Sequence, residues 1–408
     1  MRKLSKLIIT NMEISGVLCT ICALQEEQKI MELHIEPAGT KSILNNIYVG
    51  QVETVSSNIK AAFVRFADGQ NGYFPLAETE HAIFTTGRKE SQTLRQGDER
   101  LVQVNRDAMK GKLPALTSDL NFTGKYMVFT VADKKLGMSS KLLKEDKDRL
   151  YKWVMEAGFS EESGYGIIIR TNAAEASKEA FLSEYEYLSG LYKKVAIMGR
   201  NRVCGSLLYE NPRTFMNVLR DQYSKALEEV VTDIPEIHET IQKYYMEVSP
   251  EDKDKLRLYE DKLLPLYKLY NLEGCVTEIY QEKVWLKSGG FLVIQQTEAF
   301  VSIDVNSGKF TGKKKAEETY RKINLEAAAE IARQLRLRNL SGIILIDFIN
   351  MSNPDHQEEL FHVVQKHLRK DPVKSKAVDF TPLHILEMTR KKVRRPVIED
   401  LRELHEIS

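Results

Sequence analysis

Between residues 290 and 370 the hydrophobic period switches repeatedly, and this alternation constrains the fold more than any bulk property. Strand-like apolar runs are predicted at 290–296 and 299–305, a helix at 324–337, a strand at 343–348 and a helix at 354–370. The first helix would put Leu325, Ala328, Ala329, Ala332 and Leu335 on one face. Strand–helix–strand–helix order implies a layered α/β unit. Two of the runs close on an aspartate, Phe300-Val-Ser-Ile-Asp304 and Ile343-Ile-Leu-Ile-Asp347. A carboxylate ending a buried strand stands at the sheet edge, where rigid backbone meets solvent. Two on neighbouring strands would seat a hard cation such as Mg²⁺, which prefers oxygen ligands and keeps several waters.

Asn306 follows Asp304 by two positions, so on a strand both side chains project to the same face. Its amide would orient a water or a phosphate oxygen without adding charge. Read singly, each aspartate is more simply a cap on its strand or on the helix that follows. Two of them, an Asn-Ser-Gly turn and a basic stretch from 309 to 338 together favour chemistry on a polyanion. Hydrolysing a phosphodiester requires charge neutralised on the nonbridging oxygens and an activated water, which a metal held by Asp304 and Asp347 supplies without a His or Cys cluster. From 365 to 395 ten Lys or Arg stand against three Asp or Glu, an excess suited to phosphate contact. A solvated charged face would account for one such run alone.

At 408 residues the chain exceeds what one core usually serves, so two to four structural units are expected. Net charge is only +1, so the distribution of charge says more than its sum. The four cysteines, Cys19, Cys22, Cys204 and Cys275, are sparse enough to suit a reducing, cytoplasmic setting. Cys19 and Cys22 have redox or zinc-like spacing but lie in a strand-like run, which points to core packing. No apolar run approaches the ~20 residues of a membrane span, and the N-terminus lacks the pattern of a signal peptide.

Runs at 7–10, 17–24 and 30–35 suggest an antiparallel meander. Short strands at 47–52, 61–66, 72–76 and 100–104 suit a small closed barrel. Residues 119–211 mix strands (126–131, 166–170) with helices around 142–156 and 175–191. From 211 to 272 the chain reads as helical, with Asn211-Pro-Arg and Ser249-Pro-Glu-Asp as helix starts.

The wording of several segments is more specific than their periodicity. Ser302-Ile-Asp-Val-Asn-Ser-Gly308, Asn324-Leu-Glu-Ala-Ala-Ala329, Glu330-Ile-Ala-Arg-Gln-Leu-Arg-Leu-Arg338, Gly342-Ile-Ile-Leu-Ile-Asp-Phe-Ile349 and Glu387-Met-Thr-Arg-Lys-Lys-Val-Arg-Arg-Pro396 closely resemble the bacterial ribonuclease E/G family. The resemblance spans essentially the whole chain. It implies an α/β multidomain protein, with an RNase H-like fold interrupted by an S1-type OB barrel and a 5′-sensor domain, then a DNase I-like α/β catalytic domain. The implied divisions are 1–36 and 212–278 for the two RNase H-like parts, 37–118 for the barrel, 119–211 for the sensor, 279–400 for the catalytic domain and 401–408 for a tail. The implied reaction is Mg²⁺-dependent endonucleolytic hydrolysis of single-stranded RNA, with Mn²⁺ able to substitute. Asp304 and Asp347 would bind the metal and Asn306 would support them.

The same resemblance makes Phe63, Tyr73, Lys112 and Lys141 RNA-binding residues, Tyr73 replacing the family's usual Phe. On a barrel, aromatics can stack on bases at about 1–3 kcal/mol each while lysine meets the backbone; a lone strand aromatic is more simply core. Gly124, Val128, Arg170 and Thr171 match the family's 5′-monophosphate sensor, whereas Arg170 and Thr171 read alone are an exposed strand end. After Arg395-Pro396 the sequence lacks the Cys-Pro-x-Cys zinc link of longer members, so no zinc is expected. A monomer and a homodimer through a non-zinc interface are both open. A non-catalytic RNA-binding scaffold with a vestigial metal site, and a DNA endonuclease, are the competing readings.

Overall fold

In the computed structural model, which describes residues 5–39, 42–67, 69–81, 83, 93–106, 108, 113–221, 227–248, 250–308 and 316–407, the chain opens on three strands. β1 (Ser5–Ile14), β2 (Val17–Glu26) and β3 (Lys29–Pro37) pair antiparallel in order, the meander expected from their alternation. They belong to a unit built of Met1–Thr40, Ala226–His238 and Lys255–Ser408, while Lys41–Lys225 and Glu239–Asp254 form a second.

The second unit contains a closed barrel of β4 (Ile47–Ser56), β5 (Ala61–Arg65), β6 (Asn71–Pro75), β7 (Glu99–Arg106) and β8 (Ala115–Thr117). Its order is β4-β5-β6-β8-β7, with β7 returning to β4. Val52, Val64, Phe66, Phe74, Val102 and Leu116 fill it. The same unit carries a sheet ordered β11-β12-β10-β9, from β9 (Asn121–Thr123), β10 (Met127–Thr130), β11 (Leu136–Met138) and β12 (Gly166–Ile169). The helices α1 (Lys144–Glu156) and α2 (Lys178–Gly199) pack on it through Leu150, Val154, Phe181 and Leu188. Then come β13 (Leu207–Tyr209), an added strand on β4, and α3 (Thr214–Asp221).

Residues 211–272 are not wholly helical. β14 (Leu227–Thr232) precedes α4 (Pro235–Val248), and β15 (Leu256–Leu258) follows it. Both strands lie parallel to β1 in a sheet ordered β15-β14-β1-β2-β3. Six residues of parallel strand carry too few positions to declare a period, so their helical flanks dominate the reading. Ser249 lies outside the described residues, and Pro250–Lys255 forms a 3₁₀ turn. The short helices α5 (Leu266–Leu269) and α6 (Leu272–Tyr280) supply Leu266, Leu272 and Ile279 to the core on this sheet. Cys19 is buried there, and Cys22 is buried too, its thiol pushed up by burial, which suits packing and not redox chemistry.

The rest of the first unit is a six-stranded sheet of β16 (Lys283–Trp285), β17 (Phe291–Gln296), β18 (Phe300–Asn306), β19 (Gly342–Asp347), β20 (Ser375–Phe380) and β21 (Ile385–Arg390). Its order is β16-β17-β18-β19-β21-β20. Only β18 and β19 run parallel, joined through α7 (Ala316–Leu337). Val301, Ile303, Val305, Ile344 and Ile346 point to α7 and α8 (Pro354–Leu368), burying a core with Ile323, Ala327, Ile331, Leu335, Leu360 and Val364. Each buried Val, Leu or Ile among them contributes about 1.5–3 kcal/mol. The described part of α7 starts eight positions before the predicted 324, and its apolar stripe is rotated from the predicted face, leaving Ala329 exposed. α9 (Val397–Ile407) sets Val397, Leu401 and Leu404 into the core on the first sheet.

Candidate functional site

The β18–β19 register places Asp304 directly opposite Asp347. Neighbours in register share a face of the sheet, with backbones about 4.8 Å apart. Both side chains are exposed, whereas the residues before and after Asp304 are buried. The pair therefore stands on the open face, opposite α7 and α8. Asn306 shares that face, and its Nδ2 donates to Asp304 Oδ2 at 2.7 Å. Spacing along one strand predicts Asn306 beside Asp304; the strand register is what brings Asp347 to them.

Helix α7 clamps the surroundings. Asn324, fully buried, donates from Nδ2 to Ile349 O at 2.8 Å and accepts from Ile349 N at 3.1 Å, fixing the chain just past Asp347. Two residues on, the Glu326 carboxylate accepts Lys287 N at 2.7 Å and Ser288 N at 3.2 Å, holding the β16–β17 turn. The Asn-Leu-Glu triplet thus braces the site from behind, a role that local spacing does not reveal. Gly308 has φ +67°, and a Cβ there would meet Gly289 O at 2.4 Å, so the turn after Asn306 requires glycine.

Among the described residues neither Asp304 nor Asp347 forms an ion pair with a Lys, Arg or His. Two exposed carboxylates with a neighbouring amide suit Mg²⁺, which binds through one or two carboxylates and completes its shell with water and substrate oxygens. Among the described residues no group of three or more His, Cys, Asp or Glu is placed to hold a metal. The donor set fits an open magnesium site and is poor for structural zinc.

In the described part of the basic stretch, 316–338, the cations at the end of α7 are turned inward. Residues 309–315 lie outside the described residues, and the arginines closing α7 are structural. Arg333 pairs with Glu330 and Glu278 and donates to Ile30 O at 3.0 Å. Arg336 pairs with Glu26 at 3.1 Å and Glu32 at 2.8 Å. Burial alone would raise the Glu32 carboxyl, but His34 and Arg336 outweigh it and hold the group at about 2. Arg338 donates to Gln334 Oε1 at 2.6 Å and Glu278 O at 3.0 Å. In the second basic run, Arg390 is buried against Asp371, Asn339 and Leu340 O, and Arg395 pairs with Asp400 and Glu403. Composition cannot distinguish these cations from exposed ones.

On the barrel, Phe63 and Tyr73 are direct cross-strand partners and both are partly exposed. Phe74 belongs to the core, with the Arg100 guanidinium 4.3 Å from its ring. Lys112 lies outside the described residues.

The sheet of β9–β12 gathers the third group. Arg170 Nη1 donates to Gly124 O at 2.6 Å, and Thr171 Oγ1 lies 2.9 Å from Ser139 Oγ. Lys141, exposed, is tied to the same turn through its N–H to Ser139 Oγ at 3.3 Å. Val128 is in register with Ile168, two residues before Arg170. Two partners were not expected. Asp221 accepts from Arg170 Nη2 at 2.8 Å. Glu184 accepts Tyr126 N at 3.0 Å, and burial pushes its carboxyl up to about 7 against the pull of the Tyr126 and Met127 N–H groups and of Arg170 and Arg220. A Cβ on Gly124 would fall 1.5 Å from Glu184 Oε1, so glycine makes room for the carboxylate. Glu184 sits on the buried stripe of α2 with Phe181, Tyr185 and Leu188, and a charge on an apolar stripe is a signal that could have found it.

The architecture is mixed α/β, with a closed five-stranded barrel and a separate sheet bearing paired strand-end carboxylates. The Ribonuclease E/G family profile matches residues 121–393. The chain is 35% identical over 379 residues to ribonuclease G of Salmonella typhimurium (strain SL1344), covering 90% of this chain and 76% of that protein. It is 34% identical over 385 residues to ribonuclease G of Haemophilus influenzae (92% and 78%), and 30% identical over 378 residues to ribonuclease E of Escherichia coli K12 (91% and 35%). The chain belongs to the ribonuclease E/G family.

Proposed function

We propose that this protein is a Mg²⁺-dependent endoribonuclease that hydrolyses single-stranded RNA to 5′-phosphate and 3′-hydroxyl ends, acting in RNA processing and decay. The single observation that carries the reading is the in-register pair Asp304 and Asp347, exposed and without a cation among the described residues, in a family whose named members are ribonucleases. A bound Mg²⁺ would neutralise nonbridging phosphate oxygens and acidify a water. The chain's own part is to hold the two carboxylates on a rigid sheet end and to keep Asn306 hydrogen-bonded to Asp304, so that its amide also orients the phosphate.

In finer terms we read the barrel as an S1-type RNA clamp, with Phe63 and Tyr73 stacking on bases and Lys112 and Lys141 meeting backbone. The first sheet is read as RNase H-like and the six-stranded sheet as DNase I-like. Arg170 with Thr171, Gly124 and Val128 would receive a 5′-monophosphate, since guanidinium matches phosphate in fork geometry. A cytoplasmic setting and a homodimer that needs no zinc complete the reading. Among the described residues no helix is long and apolar enough to cross a membrane.

The test is cleavage of a 5′-monophosphorylated single-stranded RNA with Mg²⁺ and with EDTA, by the parent protein and by Asp304→Asn and Asp347→Asn. Undiminished cleavage by either variant overturns the assignment. Binding without metal-dependent cutting would instead favour the scaffold.

A further inference from the structure

The open face bearing Asp304 and Asn306 continues onto an aromatic ledge. In register with Asn306 lies Phe291, and in register with Phe291 lies Trp285. The two rings are 5.3 Å apart between centroids. In the row of Asp304 the order is Asp304, Val293, Lys283, so the ammonium starts from the same side of the sheet. Lys283 Nζ sits 3.7 Å from the centroid of Phe291 and 4.2 Å from that of Trp285, a cation held by two ring faces. Trp285 is nonetheless 64% exposed. Burying an indole is favourable, so one left on a sheet face beside a paired carboxylate site invites a flat apolar occupant. The turn joining the two strands is held by Glu326, which accepts from its Lys287 and Ser288 N–H groups.

We infer that Lys283, Trp285 and Phe291 form a nucleotide subsite beside the acidic pair: Trp285 stacks on the base of a nucleotide next to the cut, and Lys283 meets an adjoining phosphate. The inference rests on the nuclease reading for its substrate. Across the sheet the ledge lies one to two strand spacings from Asp304 and two to three from Asp347, about 5–15 Å in all, within the span of a few neighbouring nucleotides. Stacking is sequence-tolerant, so the subsite selects unpaired strands and not a particular base.

Trp153 and Trp285 are the chain's two tryptophans, so Trp153→Phe leaves Trp285 as the sole indole reporter. In that background, single-stranded oligoribonucleotide with EDTA present is expected to quench Trp285 emission, and a duplex of the same length to quench it far less. Trp285→Ala should raise KM for single-stranded RNA roughly 5- to 150-fold with kcat little changed, and Trp285→Phe should recover most of the loss. Emission unmoved by RNA, or KM unchanged in Trp285→Ala while Asp304→Asn abolishes cutting, overturns the subsite and leaves the nuclease standing. Quenching by RNA in a protein that cuts nothing supports the subsite and sinks the nuclease.

Discussion

Asp304 and Asp347 face each other across the one parallel strand pair of the six-stranded sheet, over forty residues apart in sequence and adjacent in register. Parallel pairing sets both strand ends on the same edge, and α7 is the connection that parallel strands require. The two carboxylates are thus placed by topology, and each rests on a strand whose alternate residues are locked in the core.

That placement makes the first prediction direct. Asp304→Asn and Asp347→Asn keep size and shape but remove the charge that would hold a cation. Each is expected to lower kcat by at least about 100-fold, with an unchanged circular-dichroism spectrum because both side chains are exposed. Higher Mg²⁺ should restore part of the rate if one carboxylate still binds. Full rate at ordinary Mg²⁺ in either variant would exclude the role.

Asn324 offers a test that separates positioning from chemistry. Asn324→Ala removes both hydrogen bonds to Ile349 and leaves Asp304 and Asp347 in place. The buried amide's partners then go unmet, at about 1–3 kcal/mol of stability. Cleavage should weaken with a higher Mg²⁺ requirement, read as a shift in the metal titration. A stability loss with an identical titration would leave Asn324 purely structural.

How much of this was legible in the chain differs from element to element, for physical reasons. Strand ends closing on aspartate are local patterns, so the acidic pair and Asn306 could be read directly, and the short strands of the barrel likewise. Register is not local: nothing in either run states that Asp304 meets Asp347 and not a neighbour. Barrel closure by β7 on β4 is equally non-local. β14 was hidden because Leu227-Glu-Glu-Val-Val-Thr232 is short and lies among helices. The arginines of α7 misled because their partners, Glu26, Glu32 and Glu278, lie some 50 to 310 positions away. Lysine and arginine counts carry no trace of such partners.

The structural reading of the basic tail has its own test. Arg390 and Asp371 form a buried pair with side chains each 3% exposed. Arg390→Ala strands the Asp371 carboxylate, which should cost about 3–5 kcal/mol in denaturant unfolding. Lys391→Ala, at an exposed neighbour, should cost less than about 0.5 kcal/mol. Equal, small effects would return Arg390 to the phosphate-binding role suggested by composition.

At the β9–β12 sheet, the Arg170–Asp221 ion pair stands where a terminal phosphate would compete. Arg170→Gln is expected to erase any preference for 5′-monophosphorylated over 5′-triphosphorylated RNA. Asp221→Asn removes the internal competitor and should lower KM for monophosphorylated RNA several-fold, within the 0.2–1 kcal/mol typical of partly exposed pairs. The two ratios must move in opposite directions. If both substitutions weaken the preference, Asp221 orients Arg170 and does not compete for it.

Glu184 supplies a pH signature in the same sheet. Its carboxyl is raised to about 7 by burial, against an ordinary value near 4.5. Between those two pH values the folded chain holds a proton that the unfolded chain has lost, so stability falls as pH rises through the window and stays lower above it. The penalty for ionising Glu184 above pH 7 is of the order of 3 kcal/mol. Glu184→Gln keeps an acceptor for Tyr126 N–H and cannot ionise. Denaturant unfolding of that variant should vary less between pH 5 and pH 7.5 than the parent, and it should be the more stable of the two at pH 8. Parallel pH curves for the two proteins would show that the carboxyl is already charged at pH 5, held so by the Tyr126 and Met127 N–H groups.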